Sequence, residues 1–336
     1  LQLLPIQKMV CNDLSNGSQK MRTCCPHNDS GTVLTIMAFF NLTICLCGLL
    51  GNGIVLWFLA FHIKRSHFTI YILNLTIADF SFLLGRVVWN VTKILYGYSS
   101  TLLTKCEMFY ICHGTLVFNI FVYNTGLGFL TAISVERCLC MLYPLWYRYH
   151  HLKKKSPSIC AFLWLLSVFM AVLEFFFEVY MGDEHPRGRS IISVFSCLLN
   201  FLVFTPLMVL SCLVLFLKSW RRSQHHHPAK LHVTILVTIL VFLLFGLPQK
   251  VWFVVHFGFQ VDTSLTVSSI FELLSSINSS ANPGIYVFVG NLWRKNKRSL
   301  KLTLSRAFKE DFQGREDGVT LPTTSSETMR RQDQQK

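Results

Sequence analysis

Glu136 and Arg137 stand side by side at the end of a long apolar run, with Tyr143-Pro144 soon after them. A carboxylate beside a guanidinium can pair with its neighbour, and either can be handed to a new partner, but the two bring no nucleophile. Other apolar runs each carry a conspicuous polar group or proline: Asn52, Asp79, Trp164, Pro206, Pro248, and Asn282-Pro283 with Tyr286 close behind. A charge at the centre of a membrane helix costs roughly 2.5–3.5 kcal/mol on insertion scales, so each such residue is a functional candidate. Taken singly, a membrane-helix proline is often a packing kink, and Trp164 can serve as lipid-facing bulk. The chemistry on offer is an exchange of ion pairs and hydrogen bonds between helices. There is no His-Glu-x-x-His and no Gly-x-Ser-x-Gly, and His225-His226-His227 falls in a polar connection.

Such groups need helices to hold them. The chain of 336 residues is 52% hydrophobic and only 14% charged, with a mean hydropathy of +0.45. A soluble domain carries about 25% charged residues, so the excess apolar surface must face lipid. A bilayer core takes about 20 apolar residues per helix. Candidate spans fall at 32–60, 68–95, 107–140, 158–181, 190–217, 231–257 and 264–290. The expected fold is an all-α membrane protein, a seven-transmembrane helix bundle with a C-terminal amphipathic helix. Its parts are an extracellular tail (1–31), the membrane domain (32–290), the surface helix (291–310) and a disordered cytoplasmic tail (311–336).

Lys64, Arg65, Arg148, Lys153, Lys154, Lys155, Lys218, Arg221, Arg222 and Lys230 lie on the first, third and fifth connections, and Arg294, Lys295, Lys297 and Arg298 follow the last span. The positive-inside rule places these in the cytoplasm and the N-terminus outside, in the plasma membrane. The formal charge of +14 is then met by anionic lipid and calls for no nucleic acid. Sequons at Asn16 and Asn28 agree with an outside N-terminus, while Asn41, Asn74 and Asn278 begin sequons inside spans and Asn90 is ambiguous. Residues 1–10 lack a sustained apolar region, so the first span is expected to act as signal anchor.

Twelve cysteines show no metal-ligand spacing. Cys45, Cys47, Cys138, Cys140, Cys160, Cys197 and Cys212 read as small hydrophobes in or near spans, whereas Cys11, Cys24, Cys25, Cys106 and Cys112 are on the oxidising side and can pair in several ways. Leu300, Leu304 and Phe308 recur at four-residue spacing among basic residues, which suits a helix lying on the membrane. The Ser/Thr-rich tail beyond it is expected to be disordered and offers hydroxyls for phosphorylation.

The order of markers resembles the rhodopsin-like G-protein-coupled receptors over about residues 32–310. Tyr123-Asn124-Thr125-Gly126-Leu127, Leu130 to Leu139 around Glu136-Arg137, Phe201 to Met208, and Ile277-Asn278-Ser279-Ser280-Ala281-Asn282-Pro283 resemble the Mas-related receptors within that class. Mas and its H-type relative are more similar than the primate X-type members. The resemblance implies a receptor for an extracellular ligand that activates heterotrimeric G proteins, Gq first and Gi second. It implies a polar network of Asn52, Asp79, Asn282 and Ser279 that takes water and a sodium ion near Asp79, with no other metal and no organic cofactor. Pro248 and Pro283 would be hinges, Tyr286 part of the switch, and Arg137 would be held by Glu136 at rest and released to the G protein.

Several departures stand out. Gly246 replaces a tryptophan usual in the class, the fifth span has no tyrosine, with Val214 near that place, and no acidic residue occurs between Glu184 and Asp262. Arg137 is therefore expected to keep only its local contact with Glu136, and basal signalling follows. The second extracellular loop holds no cysteine, which leaves Cys112 without the usual partner there.

On the outer side, Glu174, Glu178 and Glu272 stand against Arg86 and Lys250, with Asn119 where amine receptors carry an aspartate. This favours a peptide with a basic group near Glu174 and Glu178 and a carboxylate near Lys250 or Arg86. Alternatively, Glu174 only pairs with Arg86 or Lys250 to hold helices together. A retinal protein is excluded by the lack of lysine between 263 and 290. The alternative of a polytopic transporter would call for matching repeats, which the two halves lack.

Overall fold

The computed structural model describes residues 31–62, 67–98, 105–143, 156–179, 203–223, 230–253, 255 and 264–291. Apart from short turns and ends, these residues are helical. In chain order the helices are α1 (Gly31–Phe61), α2 (His67–Tyr98), α3 (Lys105–Leu142), α4 (Ser156–Val179), α5 (Thr205–Ser223), α6 (Lys230–Val241), α7 (Leu247–Phe253) and α8 (Leu265–Asn291). A π-helical turn, Phe242–Gly246, joins α6 to α7, so the three together form the sixth span. Spans one, two, three, four and six are long and apolar enough to cross a bilayer. In α5 the apolar stretch Thr205–Lys218 is shorter, and residues 190–202, expected to open the fifth span, lie outside the described residues.

The bundle has its polar groups inside and much of its apolar surface outside. Leu50 and Leu165 are each 69% exposed, whereas Asn52, Thr125 and Ser276 are fully buried. That inversion is stable only where lipid covers the outer face and the inner groups bond one another. Thr76, Thr125, Thr131 and Ser167 each return a hydroxyl to the carbonyl four residues earlier, which satisfies them without a second helix. Trp164 is no lipid-facing filler: its Nε1 donates to Asn74 Oδ1 at 2.9 Å and ties α4 to α2. Asn90 is fully buried and donates to the Arg86 carbonyl at 2.7 Å, so its sequon is closed to glycosylation.

α3 occupies the middle, packed on α2, α4, α5 and α6, while α1 lies on α2 and α8. Gly48 sets the approach of α1 to α8. A Cβ there would collide with Ser280 of α8 and come within 2.8 Å of Leu83 of α2. This small residue lets backbones close, and Asn52, one turn further along, then donates to Ser279 O across the gap at 3.0 Å. Cys45, Cys138 and Cys160 are buried free thiols, as expected of small hydrophobes, but Cys47 is exposed on the outer face of α1. Cys112, one of the cysteines expected to be able to pair, is disulfide-bonded.

Candidate functional site: a polar seam between the second and seventh spans

Asp79, Arg86, Trp89 and Lys93 follow one another along α2 at steps of seven, three and four, which sets them on one face. On α8, Glu272, Ser275, Ser279 and Asn282 do the same. The two rows face each other. At the centre of the bundle Asn282 Nδ2 donates to Asp79 Oδ2 at 2.6 Å, with the Ser279 hydroxyl beside the carboxylate. Asn52 joins from α1 through its bonds to Gly48 O and Ser279 O. The four residues expected to form the central network are therefore together. Asn52 Oδ1 and Asn282 Oδ1 are buried without a hydrogen-bond partner. With Asp79 they make a set of hard oxygen donors that fits a sodium ion or a water, as hard cations take oxygen ligands and buried water bridges orphaned polar atoms. Asp79, Asn52, Asn282 and Ser279 are the residues that would hold such an ion, whose charge would tie three spans together. Tyr286 is buried one turn beyond Asn282.

Toward the Tyr98 end of α2 the seam becomes charged. Lys93 Nζ sits 2.6 Å from Glu272 Oε2. Arg86 approaches Glu272 Oε1 at 3.7 Å and donates to Ser275 Oγ at 3.4 Å. Trp89 Nε1 adds a bond to Glu272 Oε1 at 3.2 Å, and Lys93 also lies over the Trp89 ring at 5.1 Å. Glu272 is thus engaged by two cations and an indole. Lys93 and Trp89 did not emerge from the sequence. Their spacing to Arg86 would have found them, and the α8 partner they share is Glu272, which the sequence had already set against Arg86.

The sixth span is gripped from α3. In the π turn, Leu247 N–H donates to Phe242 O, five residues back, just before Pro248, which has no N–H to give. Tyr123 donates its hydroxyl to Gly246 O at 3.1 Å, and Lys250 Nζ donates to Asn124 Oδ1 at 3.3 Å. A side chain at Gly246 would meet Phe242 at 2.7 Å and Asn278 at 3.2 Å, so the missing tryptophan leaves room for close packing by neighbours. Lys250 is buried over the Tyr123 ring. Asn119 is buried too and donates to Thr115 O at 2.8 Å. Glu174 and Glu178 fall on α4, but their side chains lie outside the described residues. Arg86 pairs with Glu272, so the helix-holding partner of Arg86 comes from α8.

At the opposite end, Arg137 is buried with its guanidinium 3.9 Å over the ring of Phe68 in α2. A fully packed aromatic from α2 thus supplies a contact with Arg137 that the sequence did not reveal. Lys218 of α5 donates to Met141 O at 2.6 Å and so caps the last turn of α3. Lys218 is one turn beyond Val214, where the sequence lacks the usual tyrosine.

A central carboxylate network, a proline-broken sixth span and an arginine at the end of a central helix are what this bundle was expected to assemble. The sequence matches the 7 transmembrane receptor (rhodopsin family) over residues 51–286. The chain belongs to that family. Among curated relatives, Proto-oncogene Mas of Rattus norvegicus is 40% identical over 305 residues, covering 88% of this chain and 90% of the relative. Mas-related G-protein coupled receptor member H of Rattus norvegicus is 44% identical over 274 residues, 80% of this chain and 82% of the relative. Member X1 of Homo sapiens is 36% identical over 306 residues, 88% and 92%. This protein is a Mas-related, rhodopsin-like G-protein-coupled receptor, a multi-pass membrane protein of a receptor family that is not catalytic. The transporter alternative has no support from these matches.

Proposed function

We propose that this receptor lies in the plasma membrane with its N-terminus outside, glycosylated at Asn16 and Asn28, and answers an extracellular peptide by activating Gq, with Gi second. The observation that carries the peptide reading is the mixed-sign outer end of the seam, where Lys93 and Arg86 meet Glu272. Asn119 offers a small amine no charge, and Glu174 and Glu178 are the proposed anchors for a basic group on the ligand. Glu272 already holds two cations, so it contributes by setting the charge of the cluster. Ligand binding there is to be transmitted along α2 and α8 to Asp79 and Asn282, then through the hinges at Pro248 and Pro283 to Arg137. The basic inner loops would contact the G protein, and the Ser/Thr-rich tail would recruit receptor kinases and arrestin.

Nucleotide exchange on Gq reconstituted with the receptor tests coupling. Arg137→Ala should abolish calcium and inositol-phosphate signalling while surface display persists; unchanged signalling would remove Arg137 from its role. A set of short basic peptides on wild type and Glu174→Gln tests the anchor. Equal responses in two normally displayed receptors would make Glu174 structural.

A further inference from the structure

We propose that the charged cluster between the outer ends of α2 and α8 is a carboxylate-binding subsite, in which Lys93 and Arg86 take a ligand carboxylate in competition with Glu272. This deepens the peptide reading above and rests on it for the source of the carboxylate. Charge comes first: two cations converge on one carboxylate, and α1, which packs against both helices, has no charged residue in Gly31–Phe61. The described cluster therefore has one positive charge to spare. Saturation comes second. Arg86 has nitrogens in only two long contacts, 3.4 Å to Ser275 and 3.7 Å to Glu272, and its Nε is buried with no hydrogen-bond partner. A guanidinium presents five donors in a planar fork made for a carboxylate, so Arg86 is under-used where it stands.

Access separates this cluster from Lys250. The Lys93 and Glu272 side chains are 20% and 14% exposed, so the cluster has an exposed mouth even though Arg86 at its floor is 7% exposed, whereas Lys250 is 5% exposed with a contact to α3. Lys93 is the outermost of the three α2 residues and Arg86 lies two turns deeper. An arriving carboxylate meets Lys93 first and can then reach the free edge of Arg86. Trp89 and Phe82, over which Arg86 lies at 5.0 Å, give the site apolar walls that suit a carboxylate next to a hydrophobic residue, as at a peptide C-terminus. Glu272 keeps the cations apart from bulk anions until a better-placed carboxylate arrives.

The test uses purified full-length receptor without G protein, and three probes: N-acetyl-Leu-Phe as the free acid, its C-terminal amide, and N-acetyl-Asp-Phe-amide. Unfolding temperature is followed against probe concentration at constant ionic strength. The free acid should raise the midpoint and the amide should not; a rise with the aspartyl probe alone would move the source to a side-chain carboxylate and still support the site. Lys93→Gln should weaken the acid's effect about tenfold, the value of one charge-assisted bond, and Glu272→Gln should strengthen it by a similar factor because a competitor is gone. Lys93→Gln keeps the Arg86–Glu272 pair, so it serves if Glu272→Gln does not fold. Equal effects of acid and amide, or acid binding indifferent to Lys93→Gln, would overturn the subsite. Basic peptides could still act through Glu174 in that case, so the peptide reading would survive on its own test.

Discussion

In the proposed orientation, the outer end of the α2–α8 seam and the inner end of α3 both hold buried cations, yet they hold them differently. Outside, Glu272 meets Lys93 at 2.6 Å and Arg86 at 3.7 Å, charge against charge across two helices. Inside, Arg137 lies on the face of Phe68, and Lys218 rests on a backbone carbonyl. Removing one partner of a buried ion pair costs about 3–5 kcal/mol, because a bare charge is left behind. A cation on a desolvated aromatic face gains about 2 kcal/mol or more from the ring. The outer contact opens only for something that replaces the lost charge, and the ring contact inside is the weaker of the two, one of several that Arg137 makes. In the proposed function the ion-paired end faces the ligand and the ring-held end faces the G protein.

Glu272→Ala should break the comparison most severely. With buried Arg86 and part-buried Lys93 both uncompensated, we expect a loss of about 3–5 kcal/mol, read as a large fall in unfolding temperature and in surface display. Lys93→Ala leaves Arg86 in place and should cost far less; equal losses would mean that the pair with Arg86 adds nothing.

Phe68→Leu keeps the apolar volume near Arg137 but removes the ring face. Ligand-free inositol-phosphate signalling, plotted against receptor number, should rise roughly fivefold for about 1 kcal/mol of lost restraint. Lys230→Glu should lower basal signalling by returning a carboxylate to the inner end of the sixth span. A silent wild type at high expression would show that the missing carboxylate does not matter.

The smallest expected effect is at the junction between the two ends. Tyr123→Phe removes the hydroxyl bond to Gly246 O and leaves the ring contacts, a change of about 0.5–1.5 kcal/mol. A modest shift in agonist potency with unaltered display is the expected result; no shift would leave Tyr123 as a packing residue only.

Much of this was legible before the fold. Asn52, Asp79 and Asn282 stand out because a lone polar group in an apolar run has few reasons to be there, and the bundle brings all three together. Pro248 marked the break in the sixth span, although the π turn before it was not foreseen, since hydrogen-bond slippage by one residue leaves no mark on composition. Trp164 and Phe68 were opaque for another reason. An aromatic in a membrane helix reads the same whether it meets lipid, Asn74 or Arg137.

By itself the sequence determined the membrane class, the sidedness expected from its basic loops, and the polar markers of its family, because all of these depend on residue type and on spacing along one helix. Only the tertiary structure decided which cation meets Glu272, what lies under Arg137 and what closes around Gly246. Those contacts join residues far apart in the chain, 179 positions in the case of Lys93 and Glu272. They depend on the rotation and depth of one helix against another. Small residues such as Gly48 set that registration by letting backbones approach, and the approach is a property of two surfaces that neither span's sequence contains alone.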